Sequence, residues 1–384
     1  MSIAELIDAD RLADGLWWQR TITAVEGCTH VSPACDHCWA EAGANMRQHN
    51  PNVAHRHAGL VTNERYNGKI RLMHADILKP LRWRKPAVIT YWNDVFHKAV
   101  PFDFIDRIMA VIALTPQHVH IICTKRPERM YEYLSDWSRV TDGIANAWVD
   151  DMVGPTMGTI DINNAWAKAR GMTAKERDRR EDIRDDYYTG WYYKSSKSLV
   201  DASKHMWPLP NLILMTTAED QQRADERIPW LLKCPAACHS VAIEPMLDAV
   251  DLRHIQTDVV EIDALTGNHG VHRPHEGCSD KKLHWVILGG ESGKGARPLL
   301  PTYVQRVRDH CAETGTPFLF KQWGEWVPEY VLEGETHQKG SQDRIGTNRT
   351  PDGRACYLVR VGKKAAGRLL DGRTHDGYPE VQHG

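Results

Sequence analysis

Short β-branched runs recur along the chain, each followed by polar punctuation and then by apolar residues at helical spacing, as parallel strands joined by crossover helices require. Seven runs fit buried strands, at 21–25, 87–91, 119–123, 212–216, 240–243, 285–288 and 317–320. Helical patterns lie between them, as at 102–114, 221–232 and 302–314. Seven strand signals in βα order predict an α/β protein built on a partial (β/α) TIM-like barrel.

Two segments break this rhythm. Residues 136–207 are rich in Asp, Arg, Trp and Tyr, carry the run KERDRREDIRDDYY, and separate two strands that would otherwise be neighbours. Mixed charges at helical spacing predict a mostly helical insertion over the barrel mouth. Residues 258–282 form a second, loop-like insertion with His269, His272, His275 and Cys278 among Gly and Pro. That set superficially suggests zinc but lacks a paired C-x-x-C, so no metal site is expected there. The barrel is thus expected over 17–327, and 328–384 reads as a small polar appendage with a hairpin around 357–361.

The chain has 384 residues, enough for one barrel with additions. A formal charge of -2 excludes a strongly basic surface overall, although local basic patches can still meet phosphates. The N-terminus lacks a basic start and apolar run, and no stretch reaches the length of a membrane span, so a cytoplasmic protein with no membrane partner is expected. Nine cysteines, an odd number, argue for free thiols or metal ligands over a disulfide framework.

Three of these cysteines lie in GCTHVSPACDHCWAE, which follows the first strand and runs into a helix as C-x6-C-x2-C at Cys28, Cys35 and Cys38. A structural zinc site normally closes four protein ligands, whereas a cubane on three thiolates leaves one iron open. His30 and His37 lie in the same loop and could complete a zinc site, so zinc is the competing reading. Trp39 could wall such a site or pack in the core. Cys234, Cys238 and Cys278 are not expected to hold a second cluster, and Cys123, Cys311 and Cys356 read as buried thiols.

Active sites of α/β barrels lie at the carboxyl ends of the strands. The second strand ends in Tyr91, Trp92, Asn93 and Asp94, the third in Thr124, Lys125 and Arg126, and the fourth in Thr217 and Glu219. The fifth ends in Glu244, the sixth in Gly289, Gly290, Glu291 and Ser292, and the last in Lys321, Gln322 and Trp323. One polar residue there means little, but agreement from strand to strand points to a site. In GGESGKGARP the glycines let the backbone approach a ligand, which favours a binding role for Glu291. Walker-type phosphate loops, G-x-S-x-G and H-E-x-x-H are missing, which weakens kinase and hydrolase readings.

The series GCTHVSPACDHCWAE, YWNDVFHKAVP, ICTKRPERM, AIEPML, WVILGGESGKGARP and FLFKQWGEW resembles a phage-associated family of radical S-adenosylmethionine-like proteins, from about residue 17 to 327. The resemblance implies a partial barrel of the radical type, with a [4Fe-4S] cluster on Cys28, Cys35 and Cys38 that binds S-adenosylmethionine through its amino and carboxylate groups. The wider superfamily spaces its cysteines C-x3-C-x2-C, so the first gap is longer here. Its Gly-Gly-Glu element usually follows the second strand, where this chain has Asn93 and Asp94, while GGES follows a late strand. Asn93, Asp94, Gly289, Gly290, Glu291 and Ser292 are the cofactor-binding candidates. Residues 94–96 correspond to an Asp-Leu-Phe-like segment of the family, and 217–219 to an altered Ser-Val-Glu-like one.

The implied chemistry uses an external electron donor. The reduced cluster breaks the sulfonium bond, and a 5′-deoxyadenosyl radical takes a hydrogen from the substrate. Lys125, Glu219, Glu244 and Lys321 are the catalytic candidates, and Arg126 and Gln322 could join the lysines in holding an anionic substrate. Some relatives accompany phage pathways that hypermodify thymidine, which suggests an isomerase moving a glycyl group from nitrogen to carbon linkage on modified DNA, in the host cytoplasm. A flipped base would then enter the mouth, with Arg177, Arg179 and Arg180 of the insertion near phosphates. The alternatives are a radical enzyme acting on a free nucleotide or small molecule, and a non-catalytic zinc or iron-sulfur module that binds nucleic acid.

Overall fold

A computed structural model describes residues 3–147, 208–269, 281–332, 344–346 and 357–381. Seven parallel strands form one sheet: β1 Arg20–Thr23, β2 Val88–Trp92, β3 Val119–Thr124, β4 Leu212–Thr217, β5 Cys238–Ile243, β6 Trp285–Gly289 and β7 Phe318–Gln322. Their spatial order is their chain order, and every neighbouring pair is parallel. Unlike a doubly wound sheet, whose order reverses at a switch point, this one turns in a single direction and curls into a half-barrel.

The helices that matter here are α1 Trp39–Arg47, α2 Phe102–Leu114, α3 Pro127–Ser135, α4 Trp137–Ala147, α5 Gln221–Lys233 and α6 Pro301–Thr314. The sequence pattern placed α2 at its observed bounds and missed α5 and α6 by one residue each. α4 opens the predicted helical insertion; 148–207, with Arg177, Arg179 and Arg180, lie outside the described residues, as do His272, His275 and Cys278.

Strand side chains alternate between the two faces. On one face Ile22, Ile89, Tyr91, Ile122, Leu214, Val241, Ile243, Val286, Leu288 and Phe320 pack under the helices. On the other Val88, Val119, Ile121, Ile213, Met215, Ala242, Trp285, Ile287 and Leu319 fill the hollow of the half-barrel. Ile3, Leu6, Ile7, Trp17 and Val381 join this inner cluster. Both chain ends therefore help fill a space that a closed barrel would fill with its own strands.

The expected strand 21–25 is divided. The chain leaves the sheet after Thr23, and Val25–Glu26 pairs antiparallel with Arg71–Leu72 instead. Tyr357–Arg360 is a strand, as the hairpin expectation has it, but it sits between Trp326–Pro328 and Arg344–Gly346. The tail also reaches the barrel. Phe320 N donates to His375 O at 3.0 Å, Gly377 N to Phe318 O at 2.9 Å, and Trp285 Nε1 to Gly377 O at 2.8 Å. Residues 375–377 thus cover the open edge of β7, which would otherwise present unpaired backbone groups.

Candidate functional site

The cysteine loop leaves β1 through Glu26 and Gly27. Gly27 has φ +90°, and a Cβ there would collide with the Lys69 carbonyl, so only glycine lets the loop cross the 61–72 hairpin region. Pro33–Cys35 forms a 3-10 turn, and Cys38 is the N-cap of α1. Glu41, buried in the first turn of α1, accepts from Tyr66 N and lies 3.0 Å from His30 Nε2. A cleft of about 370 Å³ opens between this loop and the hairpin, lined by Thr29, His30, Asp36, Arg65, Asn67 and Gly68 among others.

Two arginines clamp the loop from opposite sides. Arg126 pairs with buried Asp94 and donates from Nη2 to Thr29 Oγ1 at 2.6 Å. Asp94 also accepts from Thr124 Oγ1 at 2.6 Å and from Phe96 N at 2.9 Å. Arg297 pairs with Glu291 at 2.6 Å and donates from Nη2 to Pro33 O at 3.0 Å. Asn93, at φ +58°, donates from Nδ2 to Val25 O at 2.7 Å. Of the residues expected to meet a cofactor, Asp94 and Glu291 thus pair with arginines that hold the cysteine loop, and Asn93 donates to the strand that leads into it. Arg297 was not singled out in the sequence, although it lies within GGESGKGARP.

Gly290 also has a packing role. A Cβ there would collide with the Trp323 carbonyl, and its amide donates to Gln322 O at 2.9 Å. Gly289 lies against the side chains of Glu244 and Gln322, and Ser292 is half-buried beyond Glu291.

The four catalytic candidates do come to one place. Lys125, Glu219, Glu244 and Lys321 continue the alternation that puts Cys123, Met215, Ala242 and Leu319 on the inner face; the first three follow strand ends, and Lys321 is the penultimate residue of β7. Lys321 pairs with Glu244, and its Nζ lies 5.3 Å from the Trp18 ring centroid. Glu219 is held because Asp220 caps α5, accepting from Arg223 N at 2.8 Å, while Arg227 reaches back two turns to Glu219 at 2.9 Å. Its second oxygen, Oε1, is buried, and Ser32 of the cysteine loop lies beside the carboxyl, where its hydroxyl favours the charged form. Ser32 carried no sequence signal beyond its place between the cysteines.

Lys125 Nζ donates to Cys35 Sγ at 3.5 Å. Burial raises the Cys35 thiol, but the Lys125 charge and the amides of Val31 and Ser32 outweigh it and leave the pKa below the usual thiol value. Burial dominates at the other two: the Cys28 thiol is pushed up to about 11, and Cys38 is raised despite the amides of Ala40 and Glu41. Cluster-free protein treated with a small alkylating agent near pH 8 should therefore react first at Cys35. Cys35 is the most buried of the three, so the preference comes from its thiolate fraction and not from access. Peptide mapping that finds Cys28 or Cys38 labelled first would contradict it.

Cys35 acts electrostatically on Cys38, and Cys28 and Cys38 both act on half-buried Tyr66. Among the described residues no three His, Cys, Asp or Glu side chains converge as ligands of a single ion. A cubane makes a different demand, since its cysteines bind separate irons around a volume. His30 and His37, the rings that could complete a zinc site, face Glu41 and the Lys294 carbonyl. Cys123, Cys234, Cys238 and Cys311 are pushed by burial to about 12.

The family model described as "Protein of unknown function (DUF5131)" matches residues 15–379. The chain belongs to this family. The DUF5131 match spans the barrel and continues through the tail that covers β7. No curated protein and no solved structure matches the chain. Among the described residues, no helix is long and apolar enough to cross a membrane.

Proposed function

We propose that this DUF5131 chain is an enzyme of the radical S-adenosylmethionine type, its half-barrel presenting a [4Fe-4S] cluster on Cys28, Cys35 and Cys38. The observation that carries the reading is three cysteines on one clamped loop at the carboxyl end of a singly wound parallel half-barrel, with Lys125 on Cys35 and the buried Glu219 carboxylate beside Ser32 of that loop. The donor set fits the group. Cys28, Cys35 and Cys38 would hold a cluster with one iron free of protein sulfur, and Glu219 and Ser32 are polar groups beside the loop. When bound, the cluster and S-adenosylmethionine would supply reductive cleavage of a sulfonium carbon–sulfur bond and hydrogen abstraction from the substrate, the electron coming from an external donor.

The chain's own residues bind, orient and exclude water. Arg126 and Arg297 fix the loop, the inner apolar cluster keeps the hollow dry, and Glu244 with Lys321 offers one acidic and one basic group at the mouth. Glu244 and Lys321 are paired with each other and would have to part to meet the amine and carboxylate of an amino-acid adduct; the isomerase acting on a glycyl-thymidine adduct in modified DNA is what the sequence resemblance implies.

Anaerobic purification followed by metal and sulfide analysis tests the first step. About four irons per chain and reductive formation of 5′-deoxyadenosine are expected. One tightly held zinc with no cleavage would overturn the enzyme reading. Label transfer into 5′-deoxyadenosine from adduct-bearing DNA, compared with free nucleosides and small molecules, tests the substrate.

A further inference from the structure

The segment ICTKRPERM sends two cations to two different cysteines. Pro127 opens α3 after a link of only Lys125 and Arg126 from the end of β3, and Thr124 Oγ1 accepts from Arg126 N at 2.9 Å while donating to Asp94. This fixes the backbone at Lys125 and Arg126, and the alternation of side chains sends them to different sides. Lys125 reaches Cys35 at 3.5 Å, and Arg126 lies against Cys28 while bridging Asp94 and Thr29. The two cations are not equivalent. Arg126 is paired with a carboxylate, so its field is largely cancelled beyond Asp94. Lys125 forms no ion pair among the described residues, and its charge acts on Cys35, Cys38, Cys123 and Glu219.

We propose that Lys125 is a positioning residue that sets the reduction potential of a cluster held by this loop and slows its loss, by donating a hydrogen bond from a cation to one ligating sulfur. This rests on the functional reading above. It moves Lys125 from the substrate, where the strand-end pattern had put it, to the metal ligand. Hydrogen bonds and charge at the sulfurs are established controls on cluster potential, because the reduced form carries one more negative charge and gains more from a nearby cation. Arg126 is expected to matter chiefly through loop geometry.

The test compares reconstituted full-length wild type, Lys125→Met and Lys125→Arg. Midpoint potentials come from redox titration followed by electron paramagnetic resonance, and cluster lifetimes from bleaching by a strong iron chelator. Lys125→Met should load iron, show a more negative midpoint and lose its cluster about tenfold faster, as expected for removal of a charged hydrogen bond. Lys125→Arg should return both values toward wild type. A Met variant that loads poorly while Arg loads well supports the same conclusion, since Arg keeps the charge and the N–H donors that Met lacks. Wild-type midpoint and lifetime in Lys125→Met would overturn the proposal, as would equal failure of two folded variants to load. Wild-type protein that takes up no cluster would overturn the functional reading, and this inference with it.

Discussion

Cys35→Ala should purify folded, hold little or no iron and form no 5′-deoxyadenosine, while Cys311→Ala keeps both properties near wild type. Cys35 is the thiol that Lys125 contacts and the central member of the loop, so its loss leaves two thiolates where a cubane needs three. Cys311 lies fully buried on α6, far in sequence from the loop, and its thiol is raised to about 12, as expected of a thiol that serves as packing. Its replacement should cost about 1 kcal/mol, the typical effect of a single substitution. Iron per chain, visible absorbance and product formation, each beside a thermal melt, separate metal loss from unfolding. Full loading of Cys35→Ala, or equal losses from both variants, would remove the cluster assignment.

Strands were legible because both faces of the sheet are covered, which leaves runs such as Val119–Thr124 and Trp285–Gly289 almost continuously apolar. The place of the site was legible for a related reason. A residue just past a buried run has to emerge at the mouth, and Lys125, Glu219, Glu244 and Lys321 do so. What each polar residue does there was not legible. Asp94 and Glu291 stand where a cofactor-binding carboxylate would be sought, yet each is spent on an arginine that holds the cysteine loop. An ion pair between separate segments has no periodicity, so nothing around Asp94 announces Arg126. The contact of the tail with the barrel was not legible for a similar reason. Residues 375–377 join the barrel through backbone hydrogen bonds along β7, a contact that needs no apolar pattern.

Arg227→Met should destabilise the protein by about 3–5 kcal/mol near neutral pH, since it removes one partner of a buried ion pair and leaves the other charged. Glu219 is fully buried, Arg227 nearly so, and the arginine also donates to Thr217 O at 3.1 Å. Burial raises the Glu219 carboxyl, but Lys125 and Arg227 pull it down further, so its folded pKa lies below the ordinary 4.5. The sign follows from linkage. A depressed carboxyl contributes stability that is fully present above the unfolded pKa and lost as pH falls through the folded one. Without Arg227, protonation relieves the stranded carboxylate, so the gap between variant and wild type should narrow on acidification through and below pH 4.5. Urea midpoints measured across that range test this, and a constant gap would show that the loss comes from packing. Adding Glu219→Gln to Arg227→Met should recover part of the lost stability at neutral pH, because the amide carries no charge to strand. It should not restore cofactor cleavage if the Glu219 oxygens serve the ligand, so stability and activity would separate in one protein.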